Sequence, residues 1–295
     1  MRWQDLRTSE NIQDRRGSGG GFGIPMGRGS LGIGTIIILT LAGWALGIDP
    51  RILIGGAEMI GGGGNVSQSG QAPQGRTGEP KDEAGRFVGK ILGNTEDVWK
   101  SIFPAQVGRE YTPPKLVLFS AGTRSRCGGA SSAMGPFYCP LDQTVYIDLS
   151  FFQQMQRQLR VGGDFAYAYV IAHEVGHHVE NQLGLLARVQ QRQRETGKAQ
   201  GNLLSVRVEL MADCLVGVWA FHSSERYKTL EEGDVEEAMK AAEAIGDDRL
   251  QRQSQGYVVP DSFTHGSSAQ RVRWFTTGMK SGEIRQCDTF RASEL

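Results

Sequence analysis

The chain has 295 residues, enough for one large domain or two smaller ones with a sizeable core. Its 32 basic and 32 acidic residues cancel, and no basic stripe with interleaved aromatics occurs, which excludes a nucleic-acid partner. Glycine is abundant at 41 residues and concentrated in the first hundred, so a low-complexity front precedes a globular back.

Residues 1–30 are polar, with Arg2, Arg7, Arg15, Arg16 and Arg28 set against Asp5, Glu10 and Asp14, and Gly17–Gly23 reads as a flexible stretch. Leu31–Ile48 follows, 18 residues without a charge and with Trp44 near its end. That length sits at the lower edge of a bilayer span, and an interfacial tryptophan suits it. A buried core helix is the alternative, but Gly-rich polar sequence on both flanks offers it nothing to pack against. A cleaved signal peptide has a short charged front, whereas about 30 residues precede this run. The net-basic flank 1–30 predicts a cytoplasmic N-terminus, one crossing at 31–48 and an exported remainder, with Arg51 on the far side. Residues 49–85, rich in Gly, Ser, Gln and Pro, read as a tether.

From residue 86 the composition turns globular. Phe87, Ile91, Val98, Trp99 and Phe103 predict a helix that stops at Pro104. Lys115–Phe119 and Thr144–Leu149 predict strands, the second offering Tyr146–Ile147–Asp148 either as a sheet edge for an extended peptide or as an ordinary core strand. Cys127 and Cys139 stand at the two ends of a small-residue loop that a disulfide would clamp, worth about 3 kcal/mol in the loop-entropy picture. Cys214 and Cys287 complete an even count, which in an exported domain favours disulfides. A four-cysteine zinc site is the competing reading, and no C-x-x-C pair supports it.

Phe165–Gln182 reads as a helix, with Phe165, Tyr169, Ala172, Gly176 and Val179 along one stripe and Asp164 as its N-cap. His173 and His177, four apart, project from one face and can share a Zn²⁺. Glu174, next to the first histidine, can reach a water at that metal, the H-E-x-x-H arrangement in which Glu is the general base. His178 points about 100° away and is left out. After the polar stretch Gln190–Gln200, Asn202–His222 predicts a second buried helix with Glu209 and Asp213 on one face. Two carboxylates in such a helix are costly unless they meet a cation or a donor. Glu209 therefore serves as third ligand, leaving a fourth position open, and Asp213 as hydrogen-bond partner of a ligand imidazole. The alternative is a solvated salt-bridging face. The metzincin pattern fails, since it needs Gly and His where Glu180 and Leu183 stand. Asp234–Ala244 reads as a solvated helix, and His265 lies in a turn just before a helix over Ala269–Lys280.

The stretches MRWQDLRTSENIQDRR, CG…GPFYCP, VYIDLSFF, AHEVGHHVE, ELMADC and AIGDDRLQ carry a resemblance to the neutral zinc metallopeptidase family of bacterial membrane-anchored proteins, the YpfJ-like group. The match runs over nearly the whole chain and looks like the gluzincin layout. It implies a zincin-like α+β domain over 86–295, one zinc per chain on His173, His177 and Glu209, Glu174 as base, and His265 as donor to an oxyanion. The alternative for His265 is a loop cap. The implied activity is hydrolysis of a peptide or protein by a membrane-anchored enzyme. Two rivals stand beside it: a membrane-tethered binding protein in which zinc only holds the fold, and a zinc amidase acting on cell-wall peptides.

Overall fold

The computed structural model describes residues 1–17, 76–77 and 79–295. Its strands are β1 (Ile12–Asp14), β2 (Arg76–Thr77), β3 (Lys115–Phe119), β4 (Gly122–Ser125), β5 (Gly128–Ser131), β6 (Phe137–Cys139) and β7 (Thr144–Asp148). Five of them form one mixed sheet in the order β2-β1-β3-β7-β6, while β4 and β5 pair as a separate ribbon. β1, β3 and β7 run parallel, and β2 and β6 pair antiparallel at the two ends. Leu116–Phe119 and Thr144–Asp148 are buried along their whole length. Unbroken apolar runs of that kind belong to inner strands covered on both faces. β7 is therefore an inner strand, and the edge expected at Tyr146–Ile147–Asp148 belongs to β6.

The helices are α1 (Glu83–Val107), α2 (Ser150–Gln154), α3 (Asp164–Gln182), α4 (Leu185–Glu195), α5 (Lys198–Tyr227), α6 (Asp234–Ala244), α7 (Asp247–Gln255) and α8 (Ser268–Ser281). The mixed composition bears out the α+β class. α1 is capped by Asp82, which accepts from the Gly85 N–H, and it runs past Pro104 to a left-handed Gly108. A proline in the last turn removes only its own backbone donor, so the helix ends at the glycine instead. α3 begins at Asp164 itself, one residue earlier than expected. Its N–H at Phe165 donates to Glu237 of α6, while Asp164 accepts from the Trp3 indole. α6 is not solvated: Ala238, Ala241, Ala242 and Ala244 are buried, a small-residue stripe that lets it lie close against α3. The polar stretch at Gln190–Gln200 is the end of α4 and the start of α5.

The boundary at residue 86 needs correction. Met1 and Trp3 are buried, Ile12 is fully buried, and β1 lies between β2 and β3. Residues 1–17 are thus part of the domain and not a polar segment apart from it. Polar composition hid this, because the segment anchors itself with three apolar side chains and many hydrogen bonds. Leu31–Ile48 and most of 49–85 lie outside the described residues, and among the described residues no helix is long and apolar enough to cross a membrane.

Truncating Ile12 tests this placement. Ile12→Ala should lower the stability of the full chain by about 2–5 kcal/mol, the usual cost of a buried Ile-to-Ala cavity. Thermal or urea unfolding indistinguishable from that of the parent would place β1 outside the core.

Candidate metal centre

Three helices build the centre. α3 supplies His173, Glu174, His177 and Glu180, α5 supplies Glu209 and Asp213, and α8 supplies Arg271. α3 and α5 come close because Gly176 faces Ala212, where a Cβ would stand only 3.2 Å from the Ala212 carbonyl oxygen. The Cys214–Cys287 disulfide fastens α5, one residue past Asp213, to the C-terminal turn. The Cys127–Cys139 bridge closes the segment that carries β5 and β6, so both pairings expected from the sequence are present.

His173 and His177 sit one above the other, ring centres 4.7 Å apart. His173 Nε2 is 3.2 Å from Glu209 Oε2, and His177 Nε2 is 3.6 Å from Glu209 Oε1. One ligand atom from each of the three residues lies within 4.8 Å of the others. The far side of each ring is also engaged. His173 Nδ1 is 3.0 Å from Asp213 Oδ1, and His177 Nδ1 is 2.8 Å from Glu180 Oε2. A carboxylate can only accept, so each Nδ1 carries the proton, and a cation seated between the rings and Glu209 would meet an Nε2 lone pair from each imidazole. This donor set fits a divalent cation with nitrogen and oxygen preference: two neutral imidazoles and one carboxylate, with room for a further ligand.

The electrostatics agree. Among the described residues, Glu174, Glu180, Glu209 and Asp213 are four acids beside Arg271, so with the carboxylates ionised and the imidazoles neutral this set carries 1 − 4 = −3. Burial opposes charge on His173, yet its hydrogen bonds to Asp213 and Glu209 prevail and raise its pKa to about 10. His177 is raised too, Glu180 outweighing burial. What the pocket stabilises is positive charge, which a divalent ion supplies without protonating the imidazoles. Burial lifts Glu180 to about 7 against the pull of His177. Burial also lifts Glu174 above the ordinary carboxyl range, with His177 and His173 opposing. Asp213 stays low: burial would raise it, but Arg271 and His173 hold it ionised.

Asp213 is fully buried and receives Arg271 at 2.8 Å, the Tyr169 hydroxyl and the His173 ring. The sequence reading assigned Asp213 but missed its two other partners and missed Glu180. Signals existed for each. Glu180 is three residues from His177, Tyr169 is four before His173, and Arg271 is four before the buried Phe275 on the inner stripe of α8. His178 is elsewhere, between Tyr138, Gln182 and the Thr112 carbonyl, and burial lowers its pKa to about 4. His265 lies in the turn before α8. Asp247 accepts the backbone N–H groups of Thr264, His265 and Gly266 and stands 3.3 Å from His265 Nδ1. Gly266 packs on Val206 and Leu210 beside Glu209, and the charges of Glu209 and His265 influence each other. His265 therefore borders the centre.

Fold and site together define an α+β protein with a candidate metal site of the H-E-x-x-H type. Residues 1–290 match the family described as "Putative neutral zinc metallopeptidase", and the chain belongs to that family. It is 49% identical over 300 residues to "Uncharacterized protein YpfJ" of Escherichia coli (strain K12), an alignment covering 99% of this chain and 100% of that one. It is 46% identical over 228 residues to "Uncharacterized protein Rv2575" of Mycobacterium tuberculosis (strain H37Rv), covering 72% of this chain and 74% of the other. No solved structure matches.

Losing the third donor and losing an imidazole's supporting carboxylate should differ in degree. Glu209→Gln should abolish stoichiometric zinc binding by the purified chain. Glu180→Gln and Asp213→Asn should still bind zinc, about 10–100-fold more weakly, the usual cost of such outer partners. Competition titration against a chelator reads both, and parental affinity in Glu180→Gln would contradict its role.

Proposed function

We propose that the chain is a zinc-dependent peptidase that hydrolyses peptide bonds with Glu174 as general base. The observation that carries this is the convergence of His173 Nε2, His177 Nε2 and Glu209 with Glu174 one residue away on the same helix. Bound zinc supplies Lewis acidity, polarising the scissile carbonyl and lowering the pKa of water. His173, His177 and Glu209 would hold it, and Asp213 and Glu180 keep the two imidazoles in the binding tautomer. Glu174 takes the proton from the attacking water and hands it to the departing amine. Its buried position, which favours the protonated form, makes the carboxylate a stronger base than a solvated one. His265, at the border of the centre, donates to the oxyanion that develops on the substrate carbonyl.

The substrate is a peptide or a protein segment, bound extended along the outer edge of β6. Support for this comes from β6 ending the sheet while Tyr138 reaches across to His178 and Asn181 of α3. A strand at a sheet edge offers the backbone groups that an added peptide pairs with. The two disulfides support an oxidising, extracytoplasmic location, and the uncharged run Leu31–Ile48 supports attachment to a membrane. A zinc that only holds the fold is normally closed by four protein ligands, and three converge here among the described residues.

Glu174→Gln separates base from ligand. The variant should keep one zinc per chain while hydrolysis of casein or a quenched peptide library falls about 10²–10⁴-fold. Loss of zinc with the activity would make Glu174 a ligand, and unchanged activity would remove it from the mechanism.

A further inference from the structure

The first 17 residues and the metal domain share one sheet, and that constrains the whole chain. β1 pairs in parallel with β3, with Gln13 opposite Val117. It also pairs antiparallel with β2, with Asp14 opposite Arg76. The two described strands that flank residues 18–75 are therefore neighbours in one sheet. A single crossing of a bilayer between those strands would put β1 on one side and β2, β3 and α1 on the other.

Three features of α1 show that the N-terminal residues are built into it. Gly93 faces the Arg7 carbonyl and the Ser9 N–H so closely that a Cβ there would overlap the backbone. The Ser9 N–H donates to the Gly89 carbonyl at 2.9 Å. Glu96, only 1% exposed, accepts from Arg7 at 2.7 Å, Ser9 at 2.5 Å and Asn11 at 2.8 Å. Those are side chains of the N-terminal segment, and a buried carboxylate is costly without such donors. At the other end of the segment Trp3 donates to Asp164, the first residue of the metal-binding helix, at 2.9 Å.

We propose that residues 1–17 and 79–295 fold together in one compartment, so that the chain makes no net crossing of a membrane between Gly17 and Arg76. The sequence offers no second span to reverse a crossing at 31–48. A helix needs about 20 consecutive apolar residues to cross, and 49–75 carries Arg51, Glu58 and Gly61–Gly64. The single span and cytoplasmic N-terminus expected from the arginine-biased flank give way to an N-terminus on the same side as the metal centre. If the disulfides place the metal domain in an oxidising compartment, the first 17 residues are there with it. The proposal does not depend on peptidase activity.

Thiol labelling of the full chain tests it. All described cysteines are in disulfides, and Glu10 and Lys198 are exposed, so Glu10→Cys and Lys198→Cys each add one free thiol. Each variant is expressed in bacterial cells, treated with a membrane-impermeant maleimide before and after lysis, and referred to total labelling in denaturant. The two positions should behave alike, both labelled in intact cells or both only after lysis. Labelling of one before lysis and of the other only after it would overturn the proposal. Gly93→Ala gives a second readout on purified full-length protein. It should lower Tm, because the new methyl meets the Arg7 backbone. A raised Tm, expected of Gly to Ala in a helix with that face open, would show the segment is not seated there.

Discussion

The centre depends on a pair of buried hydrogen bonds from imidazole Nδ1 to carboxylate. Asp213 fixes His173 and Glu180 fixes His177, so both Nε2 atoms turn toward Glu209. Without those partners each ring could flip or change tautomer, and the helix spacing alone would not define a site. The two supports are unlike. Asp213 comes from α5 and is shared with Tyr169 and Arg271, whereas Glu180 comes from the same helix as its histidine, one turn on.

Burying that much negative charge requires compensation, and the fold supplies it in layers. Arg271, fully enclosed on α8, neutralises Asp213 and keeps it an acceptor. α8 is held against α5 over most of its length, and the Cys214–Cys287 bridge limits how far the tail behind it can move from Asp213. A divalent cation between the imidazoles and Glu209 would reduce the remaining excess. In this arrangement Glu174 and Glu180 are the acids pushed up by burial beside the candidate ligands, and Glu209, despite its burial, is held low by the histidines around it. Environments that push neighbouring carboxyls apart in this way mark different roles for them.

The convergence of His173, His177 and Glu209 was legible in the sequence because helical periodicity translates directly into direction: four residues apart means one face, twice over, in α3 and in α5. The disulfides were legible because two cysteines framed a loop and two remained. Glu180 was read only as a mismatch to another motif, although its i, i+3 relation to His177 is as local as the ligand pair. For Arg271 and Tyr169 periodicity gave a face but no partner, since their meaning comes from α8 and α3 meeting at Asp213, a contact far apart in sequence. The choice between edge and core strand for Tyr146–Asp148 stayed open for a similar reason. Thr144–Asp148 and an edge strand share an apolar composition, and only the pairing of β6 decides between them. Residues 1–17 were set apart on composition, but composition does not report that Glu96 needs their donors or that Gly93 is shaped to their backbone.

X-ray absorption at the zinc edge of the zinc-loaded full chain tests the central claim most directly, because it reads the ligands without reference to activity. The account predicts nitrogen and oxygen scatterers at about 2.0–2.1 Å, the multiple-scattering pattern of two imidazoles, and no sulfur. A sulfur shell at about 2.3 Å, or a spectrum with fewer than two imidazoles, would contradict it.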